Sequence, residues 1–458
     1  MKADLHFGDN LEWLQKLPTG IVDLCYIDPP FNSSANYNVI VGGAQVKVFS
    51  DTWTWGQDDM DIYTSLLAGG GRVGDWADGM MKAIKPCGMY SYLLFMAVRL
   101  IEIRRVLKPT GSIYLHCDQS ANYHLRMLMD AIFGSSNCQR ELVWSTDTVS
   151  GYKSQIKGWV RGHDTVLFYS REEEDFTFNV EYQPYKPEYI ARFKKDDGDG
   201  RKYRDDRSGG RRQYLDESPG RRIGDVWADI MSFQQASTSS EIVGYETQKP
   251  LALLERIVKA SSNPGDLVMD CFLGSGTTAE AALKNGRNFC GCDITFLAVD
   301  KAMARLKAMP EPPQIILTGH PETLDDARQL ARQDQGRFQY QAWALGKVGC
   351  APNNERTSKR GKDSGIDGKK VVTLADGTTH TTIISVKSGK SKVRDLRDLM
   401  GTVDRDRAQR GVLLLLEDPT PDMKRDAATY NRGAKGEEKC LIFTAQDLID
   451  GKQIPEVR

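Results

Sequence analysis

The stretch VMDCFLGSGTTAEAA, Val268–Ala282, combines the end of an apolar strand, a glycine-rich turn and the start of a helix. Glycine adopts backbone angles that other residues avoid, so Gly274 and Gly276 allow a sharp turn and a close approach of the backbone to a ligand. The helix is expected to begin at Thr277 or Thr278. A tight turn without a ligand is the alternative interpretation of so short a motif.

Two acids frame this turn. The strand before it ends at Asp270, and the next strand, NFCGCD, ends at Asp293. An acid about 20 residues after the turn binds the ribose hydroxyls in nucleotide-binding βαβ units. A dinucleotide usually requires a third glycine, whose place is taken here by Thr278 or Ala279. The stretch therefore predicts a cofactor with a single nucleoside.

The same alternation of strands and helices extends outward from this stretch. VDLCYI and SIYLHC are predicted strands, and the helical stretches YLLFMAVRLIEIRRVLK and ANYHLRMLMDAIFG follow them in turn. Strands interleaved with helices predict an α/β fold with a doubly wound, mostly parallel sheet. The Pro-rich stretch MPEPPQ marks a boundary, and the strands after it predict a separate α/β domain. The predicted units are residues 1–310, a linker or helix at 311–334, and a C-terminal domain at 335–458.

Composition excludes several classes of protein. Lys and Arg number 61 against 62 for Asp and Glu, so net charge neither requires nor excludes a nucleic-acid partner. Nine cysteines without a CxxC pair indicate free thiols in a reducing compartment, which predicts a cytoplasmic protein. No apolar run approaches the roughly 20 residues of a membrane span, so no membrane partner is expected.

The stretch CYIDPPFNS, Cys25–Ser33, places an acid, two prolines and an aromatic ring in consecutive positions. Proline fixes φ and removes a backbone donor, so Pro29 and Pro30 end the preceding strand and hold Asp28 and Phe31 in place. Open α/β sheets bind ligands at the carboxyl ends of their strands. The stretch predicts a rigid catalytic turn, although a strand-ending turn without a function is the alternative.

Together these motifs resemble those of the S-adenosylmethionine-dependent DNA amino-methyltransferases. IDPPF resembles their catalytic motif and DCFLGSG their cofactor motif, and this order resembles the β group, whose Rossmann-like sheet is circularly permuted. TQKP before the cofactor strand and an initial Gly-Asp are further matches, whereas Cys271 stands where the family more often has proline. The resemblance covers roughly residues 1–310 and implies S-adenosylmethionine as cofactor and double-stranded DNA as partner, with a homodimer left open. The cofactor-binding residues that it implies are Asp9, Thr247, Gln248, Lys249, Pro250, Asp270, Phe272, Gly274, Gly276, Thr277 and Asp293.

Catalysis is expected at the Asp28 turn. The Asp28 carboxylate and the Pro29 carbonyl would accept the amine hydrogens and free the nitrogen lone pair for attack on the methyl group. A base inside a duplex has to be flipped out, and Phe31 would stack on it. Adenine-N6 enzymes of the family usually carry an acid at the position of Asp28, and cytosine-N4 enzymes usually carry serine. Adenine N6 is therefore predicted, with cytosine N4 as the alternative.

Two activities of other kinds are further alternatives. Cytosine-C5 transfer needs a cysteine nucleophile, and KPCG at Lys85–Gly88 offers one only outside the strand-end context. A DNA-binding or nuclease protein with a vestigial methyltransferase fold is the rival from another class.

The interval 134–246 matches the place of the family's target-recognition region. It contains RFKKDDGDGRKYRDDRSGGRRQY, whose basic and aromatic residues suit phosphate contacts, guanine-edge recognition and stacking. Its composition breaks the regular periodicity, so a loop is expected. A solvated surface loop without a recognition role is the alternative.

The C-terminal block resembles the PD-(D/E)xK nuclease core, in its Mrr-like branch, over about residues 335–430. KDSGIDGKK and TIISVKSGK supply Asp367 and Lys387 as the matching acid and lysine. The resemblance implies a divalent metal such as Mg²⁺ held by Asp367, with Lys387 supporting the attacking water. Ser385 stands where a Glu or Gln ligand is usual. A DNA-binding or assembly module without cleavage is the alternative, and restriction and modification activities fused in one chain are the wider expectation.

Overall fold

The structure is a computed structural model that describes residues 1–30, 36–41, 44–50, 53–146, 155, 157–205, 211–242, 247–332, 336–350, 366–373, 379–432 and 438–455. Within these ranges, nine strands form one large sheet and four strands form a separate C-terminal sheet. Three small sheets lie outside these two.

The first block runs from the N-terminus to Phe133. Its elements are β1 Lys2–Phe7, α1 Asn10–Lys16, β2 Val22–Ile27, β3 Asn36–Val41, β4 Ala44–Ser50, α2 Gln57–Gly69, α3 Gly71–Ala83, α4 Gly88–Val106, β5 Leu107–Cys117 and α5 Asn122–Phe133. Every residue of β2 is buried, because this strand lies in the middle of the large sheet. The strand predicted from VDLCYI has the bounds of β2, which confirms that prediction.

The second block contributes both to the large sheet and to two small ones. Its elements are a 3-10 turn at Ser135–Asn137, β6 Cys138–Ser145, β7 His163–Ser170, β8 Tyr182–Gln183, α6 Pro187–Ile190, β9 Lys195–Asp196, β10 Lys202–Asp205, β11 Arg212–Tyr214, β12 Arg221–Arg222 and β13 Val226–Trp227. Of these, β6, β7 and β13 belong to the large sheet. The stretch expected to be a loop instead contains short strands, and β9, β10 and β11 form an antiparallel sheet.

The third block carries the glycine-rich turn. Its elements are α7 Leu251–Ser261, β14 Leu267–Asp270, α8 Thr277–Lys284, β15 Asn288–Asp293, α9 Phe296–Lys307 and β16 Gln314–Thr318. Helix α8 begins at Thr277, as expected. β16 pairs with β1 and so belongs to the large sheet, whereas the predicted domain boundary lies at residue 310. Five residues after a Pro-rich turn carry too little periodicity to be assigned to a sheet without their partner strand.

The order of strands in the large sheet is β13-β6-β7-β5-β2-β14-β15-β1-β16. β7 is antiparallel to both β5 and β6, and the other neighbours are parallel. β14 and β15 follow the first block in the chain, yet they lie between β1 and β2. This arrangement confirms the predicted doubly wound, permuted sheet.

The C-terminal unit has its own sheet. Its elements are α10 Leu324–Arg332, α11 Gly336–Lys347, β17 Gly368–Thr373, β18 Thr379–Lys387, α12 Val393–Arg405, β19 Arg410–Leu415, α13 Pro421–Arg432, β20 Cys440–Thr444 and α14 Ala445–Ile449. The strand order is β17-β18-β19-β20. Helix α11 packs against both α9 and β18 and buries Tyr340 and Trp343, so the two units share part of one hydrophobic core.

Two expectations from composition concern the whole chain. All nine cysteines are free in the structure. In the part of the chain that the structure describes, no helix has both the length and the apolar character needed to cross a bilayer.

Candidate active site

The candidate site lies where β2 and β14 run side by side. These strands are parallel neighbours, so their carboxyl ends, at Asp28 and Asp270, open on the same edge of the sheet. Connections leave the two strands in opposite directions at this point, which is where open α/β sheets form a ligand crevice. A cavity of about 260 Å³ occupies the position.

Most predicted residues line this cavity. They are Asp9, Asp28, Pro29, Pro30, Thr247, Gln248, Lys249, Asp270, Phe272, Gly274, Thr277 and Asp293. Pro250 does not line the cavity and occupies the N-cap position of α7. Phe31 lies outside the described residues. The fold thus brings together the predicted catalytic turn and the predicted cofactor turn, which are more than 200 residues apart in the chain.

Asp28 presents one unused acceptor atom to this cavity. Its Oδ2 accepts a hydrogen bond from Nζ of Lys249, and both side chains are nearly buried, at 13% and 12% exposure. Its Oδ1 is buried and has no partner among the described residues. A buried acceptor without a donor is costly. The atom is therefore suited to a donor that arrives with a substrate.

Lys249 was predicted to contact the cofactor. Its ammonium instead contacts the carboxylate of Asp28 and lies 3.4 Å from the carbonyl oxygen of Thr247. Because Lys249 lines the cavity as well, its stem remains beside the predicted cofactor position. The sequence offered no signal for the ion pair, which joins residues 221 positions apart.

The glycine-rich turn is held by the acid that precedes it. Asp270 accepts hydrogen bonds from the Phe272 N–H at 2.9 Å and from the Thr278 hydroxyl at 2.6 Å. Burial raises the pKa of Asp270 to about 7 in spite of these two donors. Gly274 has φ of 50°, a conformation that suits glycine. The turn is therefore stabilised from the strand end before any ligand binds.

Gly276 serves packing and does not line the cavity. Its φ is 75°, and a Cβ at this position would lie 2.7 Å from Cβ of Ala302. Ala302 belongs to α9, so glycine allows α8 to approach that helix closely. Gly276 thus has a role in helix packing, and its contact with the cofactor stays a prediction.

Asp293 lies at the end of β15 with most of its acceptor capacity in use. Oδ2 accepts from the Gly274 N–H at 2.9 Å, and Oδ1 accepts from both the N–H and the hydroxyl of Thr295 at 2.9 Å. An ionised carboxylate offers about four acceptor sites, so one on Oδ2 remains for a ligand. Burial raises the pKa of Asp293 above its ordinary value.

Asp9 caps α1 and anchors a buried arginine. Its Oδ1 accepts from the backbone N–H of Leu11 at 2.7 Å, and its Oδ2 pairs with Arg99 at 2.8 Å. Arg99 also donates to Oδ1 of Asn10 at 2.6 Å, and Asn10 donates to the carbonyl oxygen of Cys271 at 2.8 Å. Asp9 therefore supports the turn mainly through this network. Neither Arg99 nor Asn10 belongs to a motif that could have predicted this role.

Several apolar residues complete the cavity wall. The rings of Trp53 and Phe95 lie 4.7 Å apart, and Phe95 lies 6.5 Å from Phe272. Tyr26 and Ile294 also line the cavity. Of these residues, only Phe272 was predicted. The others belong to segments whose sequence indicates only a buried element or a loop.

The basic stretch in the second block is partly folded on itself. Arg201 stacks on Tyr214 and pairs with Asp216 and Glu217, and Arg212 stacks on Tyr203. These contacts are the physical reason why the stretch forms strands where a loop was expected. Arg212, Arg221 and Arg222 remain exposed.

The predicted metal residues of the C-terminal unit lie around β18. Oδ2 of Asp367 accepts from the Ser385 hydroxyl at 3.0 Å and from the Val386 N–H at 2.7 Å, and Oδ1 accepts from Gln341 at 3.1 Å. Lys387 ends the same strand. Among the described residues, no group of three His, Cys, Asp or Glu side chains is placed to hold a metal.

Comparison with known proteins gives the wider context. M1.MboII, a type II methyltransferase from Moraxella bovis, is 37% identical over 166 residues, which are 36% of this chain and 60% of that protein. YhdJ, a DNA adenine methyltransferase from Escherichia coli K12, is 27% identical over 67% of this chain and 82% of its own length. The crystal structure of TTHA0409 from Thermus thermophilus with S-adenosyl-L-methionine is 17% identical, with a TM-score of 0.39 over 70% of this chain and 99% of that one.

Two families match separate parts of the chain. Residues 339–454 match the restriction endonuclease family Mrr_cat, which agrees with the predicted Mrr-like domain. Residues 22–303, more than half of the chain, match the DNA methylase family N6_N4_Mtase. The protein therefore belongs to the DNA methylase family and carries a C-terminal domain of the restriction endonuclease family.

Proposed function

We propose that this protein transfers a methyl group from S-adenosylmethionine to N6 of adenine at a specific site in double-stranded DNA. The observation that carries the proposal is the buried Oδ1 of Asp28, which has no partner within the described part of the chain and lies in one cavity with Pro29, Pro30 and the glycine-rich turn. The family match supports methyl transfer to DNA, and the relative YhdJ, a DNA adenine methyltransferase, supports adenine as the base. Cytosine N4 remains the alternative.

The cavity fits the proposed cofactor. One remaining acceptor on Asp293 suits a ribose hydroxyl, and Phe272 and Ile294 offer apolar surface for an adenine ring. Thr247 and Gln248 line the wall beside Asp28, on the side proposed for the methionine end. When bound, the cofactor supplies an electrophilic methyl group on a sulfonium.

The chain's own part in the reaction is to hold the amine. Oδ1 of Asp28 accepts one amine hydrogen and the Pro29 carbonyl accepts the other, which localises the lone pair on nitrogen. Because the two prolines fix the turn, these acceptors need little reorganisation during the reaction. Phe31 is proposed to stack on the flipped base. No covalent bond between enzyme and base is needed.

DNA contacts are proposed for the second block. The exposed residues Arg212, Arg221 and Arg222 lie on its short strands and are suited to phosphates and guanine edges. Free thiols throughout the chain suit a reducing cytoplasm, which is the proposed location.

The proposal is tested with labelled S-adenosylmethionine, unmethylated plasmid DNA and analysis of the modified nucleosides. N6-methyladenine is expected as the product. Asp28→Ala should abolish transfer while calorimetry shows cofactor binding within about 2-fold, because the substitution removes the amine contact and the ion pair with Lys249 but no proposed cofactor contact. Product on cytosine would favour the N4 alternative, and no transfer by a protein that binds the cofactor would refute the proposal.

For the C-terminal domain, we propose DNA binding without cleavage. The observation behind this is the Asp367 carboxylate, whose oxygens already accept from Ser385, Val386 and Gln341. A hard cation would have to displace these donors and would gain only a serine hydroxyl as a neighbour. Lys387 is then a DNA-contacting cation and not part of a metal-dependent nuclease.

Plasmid cleavage with Mg²⁺ or Mn²⁺, without cofactor, tests this second proposal. No cleavage is expected, and Lys387→Ala should weaken DNA binding and lower its salt dependence. Cleavage by the wild type that is lost in Lys387→Ala would restore the nuclease interpretation.

A further inference from the structure

A series of hydrogen-bonded, largely buried polar side chains starts in the wall of the cavity. Tyr26 lies on β2, two residues before Asp28 and on the same face of that strand. Its hydroxyl lies 3.0 Å from Nδ1 of His116 on β5, and Nε2 of His116 lies 3.2 Å from Oδ2 of Asp164 on β7. Tyr26 lines the cavity, whereas His116 is completely buried. This series of side chains thus leads from the cavity across three neighbouring strands, β2, β5 and β7.

The two end members of this hydrogen-bonded series, Tyr26 and Asp164, determine where its protons lie. Burial would raise the pKa of Asp164, but the hydrogen bond from His116 and the ion pair with Arg161 hold that pKa well below its usual range. A carboxylate only accepts, so Nε2 of His116 carries a hydrogen, and in the tautomer with its hydrogen on Nε2 alone, Nδ1 accepts from the Tyr26 hydroxyl. Burial, together with the carboxylate of Asp28, raises the pKa of Tyr26 and keeps its hydroxyl neutral. The Tyr26 oxygen therefore retains acceptor capacity for a group in the cavity.

Tyr114, a neighbouring tyrosine in the same sheet, has a buried hydroxyl whose hydrogen bond is directed away from the cavity residues and serves for comparison. Tyr114 lies directly opposite Tyr26 on β5. Its hydroxyl bonds to the Ser261 hydroxyl at 2.7 Å, and Tyr114 does not line the cavity. Packing at position 26 alone would be met by phenylalanine, without the cost of burying a polar chain. The difference between the two sites is that Tyr26 lines the cavity together with Asp28, whereas Tyr114 does not.

We propose that Tyr26, His116 and Asp164 take up the proton that the target amine loses, an inference that rests on the methyl transfer proposed above. As the nitrogen–methyl bond forms and the sulfur–methyl bond breaks, the positive charge moves to the amine nitrogen. One N–H bond then breaks. The Tyr26 oxygen receives this proton, directly or through one water, while its own proton passes to Nδ1 of His116. The products are a neutral methylated amine and an imidazolium that faces the ionised Asp164.

The other acceptors near the amine are poorer places for this proton. Oδ2 of Asp28 is already bonded to the Lys249 ammonium, and the carbonyl of Pro29 can accept a hydrogen bond but cannot keep a proton. His116 offers a ring nitrogen that can take up a proton, and this nitrogen lies 3.0 Å from the hydroxyl of Tyr26, which lines the cavity. The Asp164 carboxylate behind it stabilises the imidazolium, as in other acid–histidine pairs.

The decisive comparison is Tyr26→Phe with the matched control Tyr114→Phe. Each variant removes one hydroxyl from neighbouring positions of the same sheet. Tyr26→Phe should lower the single-turnover methylation rate about 100-fold, the scale of general acid–base catalysis, with cofactor affinity by calorimetry within about 2-fold. Tyr114→Phe should keep the wild-type rate. A rate for Tyr26→Phe within about 2-fold of an active wild type would overturn the proton route and leave the proposed function intact, whereas an inactive wild type would refute both.

A second measurement does not depend on activity. The chain has six histidines, so nitrogen-15 spectra of histidine-labelled protein can be assigned with His116→Gln. The Nε2–H tautomer is expected for His116, and Asp164→Asn should change it. An Nδ1–H tautomer in the wild type would mean that Tyr26 accepts from His116, which contradicts the proposed direction of proton transfer.

Discussion

The ion pair between Lys249 and Asp28 is open to a direct test through Lys249→Met. The substitution keeps the length of the side chain and removes the ammonium. Both partners are nearly buried, and the second oxygen of Asp28 has no partner among the described residues. Lys249→Met therefore leaves a buried carboxylate without a donor on either oxygen. Removal of one partner from a buried pair costs about 3 to 5 kcal/mol, and the remaining exposure here places the expected loss near 3 kcal/mol.

A double-mutant cycle in urea isolates the pair from other effects of the substitutions. Lys249→Met, Asp28→Asn and the double variant should give a coupling free energy of about 2 kcal/mol, the scale of a charge-assisted hydrogen bond. Lys249→Met should also slow methyl transfer at least 10-fold, because Asp28 loses the contact that orients it.

The pair of Lys108 and Asp23, at the other end of β2, is a matched control. Its Nζ–Oδ1 distance is 2.8 Å, and Lys108 is 40% exposed. Lys108→Met should cost no more than about 1 kcal/mol after solvent screening and should leave methyl transfer unchanged. A coupling below about 0.5 kcal/mol between Lys249 and Asp28 would refute the reasoning, as would equal effects of the two lysine variants on methyl transfer.

Three further predictions follow from the cofactor turn. Asp293→Ala should weaken S-adenosylmethionine binding by about 1.5 to 3 kcal/mol in a calorimetric titration, and unchanged affinity would remove Asp293 from the binding site. Gly276→Ala should lower the free energy of unfolding by about 2 kcal/mol because its Cβ would overlap Ala302, whereas Gly79→Ala, in an open helix position, should be neutral or stabilising. The pKa of Asp270 is raised to about 7 in the folded protein, so the folded state holds an extra proton between about pH 4 and about pH 7, and stability falls as pH rises through that range. Asp270→Asn should remove this difference in the free energy of unfolding between about pH 5 and about pH 8. An unaltered difference would contradict the raised pKa.

Local patterns in the sequence were enough for the central strands of the large sheet and for the motifs at its carboxyl edge. The strand VDLCYI, the glycine-rich turn and the start of α8 at Thr277 were all predicted, because runs of apolar residues, prolines and glycines act within a few positions of themselves. The resemblance of the motif order to that of the β group also implied the permuted sheet. The basic stretch of the second block was predicted wrongly as a loop, since its strands depend on contacts between arginine and tyrosine that lie about ten or more residues apart.

Strand order and helix packing set which side chains share the site. The sequence predicted that Asp28, Asp270 and Asp293 lie at the carboxyl ends of strands, and sheet order brings all three to one cavity. It could not determine that Lys249 pairs with Asp28, that Gly276 packs on Ala302, or that Tyr26 reaches His116. These contacts join residues between 26 and 221 positions apart, because strand pairing and helix packing, and not local propensity, set the distance between their side chains.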